Sequence, residues 1–123
     1  MLAFESVVLY VKDIEVSKNF YSKVFDTQGD VLSPTFAFFA LFSDFSIGLK
    51  QLDQAIPPAN IAGGGSELSF TVKNVVELNQ LYEEWKSRDV RFAQEPTELV
   101  FGTTFVAIDP DKHRIRVFAP KAQ

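Results

Sequence analysis

Between residues 5 and 11 the chain alternates its side chains with a period of two. Val7, Leu9 and Val11 form a uniformly apolar face, and Ser6, Val8 and Tyr10 form the other. Rich in β-branched and aromatic types, the segment reads as a strand. After Asp13, a good helix N-cap, the period changes. Val16, Phe20 and Val24, with Tyr21 and Phe25, make an apolar stripe at helical spacing. Gly29 closes the passage to a strand near residues 30–32, and Ser33-Pro34-Thr35 makes a turn. Residues 36–42 and 45–52 then pair as a hairpin about Ser43-Asp44, which completes a β-α-β-β-β unit.

The pattern is then stated again. Val11-Lys12-Asp13-Ile14 returns as Val72-Lys73-Asn74-Val75, and Phe20-Tyr21 returns as Leu81-Tyr82, each 61 positions later. The second strand-cap-helix unit runs from a strand at 67–72 to Asn74, with Glu77 three residues on in a capping-box arrangement. Leu78, Leu81, Tyr82 and Trp85 share one helix face. Strands follow at about 90–93, 103–108 and 114–119, the last two separated by Asp109-Pro110-Asp111-Lys112-His113. Between the copies, residues 54–66 hold Pro57-Pro58 and Gly63-Gly64-Gly65, a linker stiff at its start and flexible at its end. The expectation is an α+β fold of one domain over 1–123, with one module at 1–53 and another at 67–123. A duplicated unit in so short a chain also directs attention to the groove that two halves can build together.

Period-two logic extends to the other strands. Leu68, Phe70 and Val72 belong under the second helix, leaving Glu67, Ser69 and Thr71 opposite. Ile115 and Val117 are core, leaving Arg114, Arg116 and Phe118 opposite; Ile47 and Leu49 are core against Ser46, Gly48 and Lys50. One face of each sheet is apolar. The other mixes hydroxyl, charged and aromatic groups, which suits either a solvated face or a half-buried pocket.

Composition narrows the function. Phe is the outlier at 13 of 123 residues, enough to furnish a core and an aromatic-lined cavity as well. With a net charge of −4 and no Lys/Arg cluster, nucleic acid is a poor partner. No apolar run approaches the ~20 residues that span a bilayer. Residues 1–5 lack the basic and apolar regions of a signal peptide, so a soluble, cytoplasmic protein with no membrane partner is expected. Zero cysteines exclude disulfides, thiolate catalysis and cysteine-based metal sites. A single histidine, His113, in a turn, argues against a nucleophilic triad. Gly63-Gly64-Gly65 is no phosphate loop, because a strand rather than a Lys-Ser/Thr and a helix follows it.

The stretches VVLYVKDIEVSKNFYSKVF, ELSFTVKNVVELNQLYEEW and FVAIDPDKHRIRVFAP, in that order, resemble the two module openings and the closing strand pair of the vicinal oxygen chelate superfamily. That superfamily includes glyoxalases, extradiol dioxygenases and bleomycin-resistance proteins. The resemblance covers nearly the whole chain. It implies two tandem βαβββ modules whose mostly antiparallel sheet curls into an open cup with helices outside, usually completed in a homodimer. Lys112 stands where the family often has Gly, so an unusual backbone angle or a different turn shape is expected there.

Catalytic members of the family hold a divalent metal with His and Glu residues from the first and last strand of each module. Carried over, those positions fall on Ser6, Gly48 (or Lys50), Glu67 and Arg116. Glu67 alone among them suits a metal; Ser and Gly donate too weakly, and Arg is a permanent cation. No metal and no cofactor is therefore expected. Strands one and four of a module should be neighbours, so Glu67 and Arg116 should face each other as a bidentate ion pair. That pair is either structural, or its arginine, or Arg114, receives an anionic or carbonyl group of a ligand.

The reading that follows is a metal-free, bleomycin-resistance-like protein that sequesters an aromatic or amphipathic small organic ligand in a homodimer groove. Ser6, Tyr10, Ser46, Lys50, Glu67, Arg114, Arg116 and Phe118 are the expected lining residues. The alternative from another class is an enzyme using Glu67 as general base without metal or at an atypical site. The expected ion pair with Arg116 works against it. A third is a dimeric interaction module whose cup is filled by Phe side chains.

Overall fold

The computed structural model describes residues 2–42 and 45–122. Contacts divide the chain into two compact units, residues 1–63 and 64–123, with the division between Gly63 and Gly64. Each unit is a βαβββ module with its own four-stranded sheet.

In the first module β1 (Ser6–Val11) leads into α1 (Ile14–Phe25), followed by β2 (Asp30–Ser33), β3 (Phe36–Phe42) and β4 (Phe45–Gln51). The Ser43-Asp44 turn lies outside the described residues. Asp13 caps α1 as its sequence position requires: it sits in the extended region, and its Oδ1 accepts from the N–H groups of Glu15 at 3.0 Å and Val16 at 3.2 Å. The buried stripe of α1 is Ile14, Ser17, Phe20, Tyr21 and Val24. Val16, expected on that stripe, is 50% exposed. At about 100° per residue it falls on the flank of the buried face, and the small Ser17 takes the central position. Gly29 is needed for a close approach rather than a turn, since a Cβ there would stand 2.6 Å from the ring of Phe39.

The sheet order is β1-β4-β3-β2, with β1 and β4 parallel and the other pairs antiparallel. Leu9, Val11, Ala37, Phe39, Ile47 and Leu49 are buried, on the sheet face that takes α1. Tyr21, Phe25 and Phe39 form one aromatic cluster with centroids 5.5–6.2 Å apart.

The second module repeats this plan with β5 (Glu67–Thr71), α2 (Val75–Ser87), β6 (Arg91–Glu98), β7 (Gly102–Ile108) and β8 (Arg114–Pro120), in the order β5-β8-β7-β6. Asn74 Oδ1 accepts from Glu77 N at 2.9 Å, while Glu77 returns to the N–H of Lys73 rather than to that of Asn74. The capping box is thus shifted by one residue. Leu78 and Trp85 are buried, and Trp85 meets Phe105 edge-on at 5.5 Å. Lys112 adopts a left-handed φ of 70°, the unusual angle anticipated for it, inside a turn that Asp109 Oδ1 ties to the N–H groups of Asp111 and His113.

β6 is the element that the sequence pattern undersized. It runs on to Glu98 through Pro96, where the expected strand stopped at 93. A proline cannot donate to a ladder, which is why the pattern ends there on paper. β6 is a sheet-edge strand, and its pairing with β7 shifts register between Gln94 and Thr97, so no bond at Pro96 is lost.

Candidate functional site

In each module the face opposite the helix carries the polar and aromatic residues. On the second sheet these lie in cross-strand rows: Glu67, Arg114, Ile108 and Arg91 in one, Ser69, Arg116, Val106 and Gln94 in the next, and Thr71, Phe118, Thr104 and Thr97 in the third.

Arg116 organises this face. Its Nε donates to Glu67 Oε1 at 2.7 Å and its Nη2 to Oε2 at 3.4 Å, the two-pronged pair expected from the sequence. The register differs from the expected one. Glu67 has Arg114 as its Cα partner, and Arg116 has Ser69, so the pair forms diagonally. Long side chains lean along a strand, and a carboxylate and a guanidinium bridge that offset readily. Arg116 Nη1 also donates to Thr104 Oγ1 at 3.1 Å and, at 3.5 Å, to Gln94 Oε1. Thr104 is buried and spends its own hydrogen on the carbonyl of Val117 at 2.8 Å, so its oxygen is oriented to accept from Arg116. Of the five N–H groups of the guanidinium, four are directed at protein acceptors. Sequence reasoning missed Gln94 and Thr104, because only strand pairing shows that they share a face with Arg116.

On the first sheet Ser6 pairs with Ser46, Val8 with Gly48, and Tyr10 with Lys50, while Lys50 also pairs with Phe36. Lys50 Nζ donates to Thr35 Oγ1 at 2.9 Å, which ties it to the β2–β3 turn. Gly48 is covered: a Cβ there would lie 2.9 Å from the tip of the Phe36 ring and 3.3 Å from Val8 Cγ2. At the Ser6–Ser46 end lies an open pocket of about 460 Å³, lined by Ala3, Phe4, Glu5, Phe38, Ala40, Phe42, Phe45 and Ser46. Phe4 and Phe45 are parallel to within 3°, their centroids 6.0 Å apart. Apart from Ser46, these residues were not singled out in the sequence. Strand pairing places them: Phe38 and Ala40 pair with Gly48 and Ser46, so they share the face opposite α1.

The eight expected lining residues therefore occupy two open faces, Ser6, Tyr10, Ser46 and Lys50 on the first sheet, and Glu67, Arg114, Arg116 and Phe118 on the second. A divalent metal does not fit the positions carried over from the catalytic pattern. Ser6 is a neutral hydroxyl, Gly48 has no side chain and is capped by Phe36, and Arg116 is a cation that already engages both oxygens of Glu67. Among the described residues no three His, Cys, Asp or Glu side chains come together in a way that would hold a metal ion.

Residues 3–117 match the family model of the Glyoxalase/Bleomycin resistance protein/Dioxygenase superfamily. The chain belongs to that superfamily. Over 118 residues it is 32% identical to the phenazine antibiotic resistance protein EhpR of Enterobacter agglomerans, covering 89% of this chain and 86% of EhpR. Its fold matches the solution structure of protein ATC0852 from Agrobacterium tumefaciens with a TM-score of 0.87 and 35% identity, over 99% of this chain and all of that one. A glyoxalase-related enzyme from Fulvimarina pelagi shares the fold alone, at TM-score 0.82 and 18% identity over 97% of this chain and 88% of its own. Membership of the superfamily agrees with the sequence resemblance, and so does the tandem βαβββ architecture. Among the described residues no helix is long and apolar enough to cross a membrane.

Proposed function

We propose that this protein binds a small planar aromatic compound and sequesters it, acting as a resistance-type binding protein rather than as a metal-dependent lyase or dioxygenase. The observation that carries the reading is the Arg116–Glu67 pair: two of the four positions that hold metal in catalytic relatives are occupied by a closed ion pair. Glu67 is correspondingly poorly placed for general-base work, since both of its oxygens accept from Arg116. The similarity to a phenazine antibiotic resistance protein and the phenylalanine-lined pocket beside Ser46 support the ligand class. Phe4, Phe38, Phe42 and Phe45 supply stacking and apolar burial, and the Ser46 hydroxyl and Glu5 carboxylate are the polar side-chain groups beside them. The proposed contact residues are, on the first module, these phenylalanines with Ser6, Tyr10, Ser46 and Lys50, and, on the second, Glu67, Arg114, Arg116 and Phe118.

The reading includes a cytoplasmic homodimer whose two modules work as one domain, with small organic compounds as its partners and neither nucleic acid nor membrane among them. Calorimetric titration with a panel of planar tricyclic aromatics, phenazines included, tests it. Saturable binding at one stoichiometry is expected, and no saturation by any member of the panel overturns it. Elemental analysis of protein purified without chelators tests the metal-free part, where one zinc, nickel, manganese or iron per chain is the refuting result.

A further inference from the structure

The cations of the second open face are not equivalent. Arg116 directs four of its N–H groups at Glu67, Thr104 and Gln94, which leaves it one donor. Arg114 is the register partner of Glu67, yet the carboxylate of Glu67 is turned away to Arg116. Among the described residues Arg114 therefore has no carboxylate partner, and it is exposed. Arg91 is exposed too, also without an ion pair among the described residues. The ladder places both in one row, Arg91 opposite Ile108 and Ile108 opposite Arg114. Two strand spacings separate them, about 10 Å between backbones, with an apolar residue as floor. Two guanidinium groups rooted that far apart on one face can converge on a single oxyanion, and a bidentate fork is the geometry that carboxylates favour.

The geometry points to an oxyanion site formed by Arg91 and Arg114 on the second module, so that a ligand carrying a carboxylate is preferred over its neutral counterpart. This deepens the proposed function and rests on it. Arg116 is then a positioning residue: by drawing Glu67 away, it keeps Arg114 free of an internal counter-ion. Arg114 and Arg116 both alternate outward on the same strand, and only the hydrogen bonds separate the engaged guanidinium from the available one.

Calorimetry with phenazine-1-carboxylate and phenazine-1-carboxamide, matched in shape but not in charge, tests the site. The carboxylate is expected to bind at least about tenfold more tightly than the amide, the range of one charge-assisted contact. The preference should shrink by half or more on a logarithmic scale in Arg114→Gln and vanish in the Arg91→Gln/Arg114→Gln double variant. Arg116→Gln should also reduce the preference, through release of Glu67 toward Arg114, and adding Glu67→Gln to it should restore the preference. Equal binding of acid and amide by the unaltered protein overturns the oxyanion site and leaves the aromatic-binding proposal standing. Binding of neither compound, nor of any other tricycle in the panel, overturns both. A carboxylate preference that survives the double variant assigns the anion to other groups and overturns the site as drawn.

Discussion

Arg116 reaches past Ser69, its own partner in the β5–β8 ladder, to close an ion pair on Glu67 with Nε and Oε1 2.7 Å apart. Both side chains are about a third exposed, at 28% and 35%. Removal of either partner therefore leaves the other able to recruit water. The coupling between them, measured by a Glu67→Gln/Arg116→Gln double-mutant cycle in urea, is expected at about 0.5–1 kcal/mol and should fall in molar salt. Arg116→Ala alone should cost more, about 1–2 kcal/mol, because Thr104 and Gln94 lose a partner as well.

Gly102 tolerates no side chain. A Cβ there would collide with the carbonyl oxygen of Ala119 and stand 2.8 Å from the Phe118 ring. Gly102→Ala should destabilise the second module by about 2–3 kcal/mol, seen as a lower urea midpoint. Gly65→Ala is the control: nothing lies within 4 Å of its Cβ position, so a change within about 0.5 kcal/mol is expected.

The two helix caps should be of similar worth. Asp13→Ala removes bonds to two backbone N–H groups, and Asn74→Ala removes one. Each is expected to cost about 1 kcal/mol, with Asp13 at the upper end, by thermal or chemical denaturation.

Added divalent metal should leave the melting temperature unchanged. A ligand that binds the folded state stabilises it in proportion to ln(1 + [L]/Kd), so millimolar zinc, nickel or manganese with a real site would shift the transition by several degrees. The donor chemistry at Ser6, Gly48, Glu67 and Arg116 predicts no such shift.

Light scattering at micromolar concentration should give about twice the single-chain mass of 13.8 kDa. Exposed Phe4, Phe42, Leu99, Val100 and Phe101 are the kind of surface that a soluble chain usually covers by association. A mass near that of one chain refutes the proposed dimer.

Much of this protein is written locally. Alternation in Val7, Leu9 and Val11, the caps at Asp13 and Asn74, and the repeat at a fixed offset act over a few residues, so strands, helices and the two-module plan follow from order along the chain. The open faces were legible too, because side chains alternate across any strand and register cannot change which residues of one strand face together.

Pairing across strands was not legible in the same way. That Arg116 takes Glu67 diagonally, that Thr104 and Gln94 also accept from it, and that Arg114 shares a cross-strand row with Arg91 depend on which strands become neighbours and in what register. Val16 left the core, and β6 ran on through Pro96, for the same kind of reason: the helix azimuth and the sheet edge are set by packing between elements. The sequence alone determined the two-module fold. Tertiary structure decided which charges neutralise each other, because charge pairing is a property of distance in space.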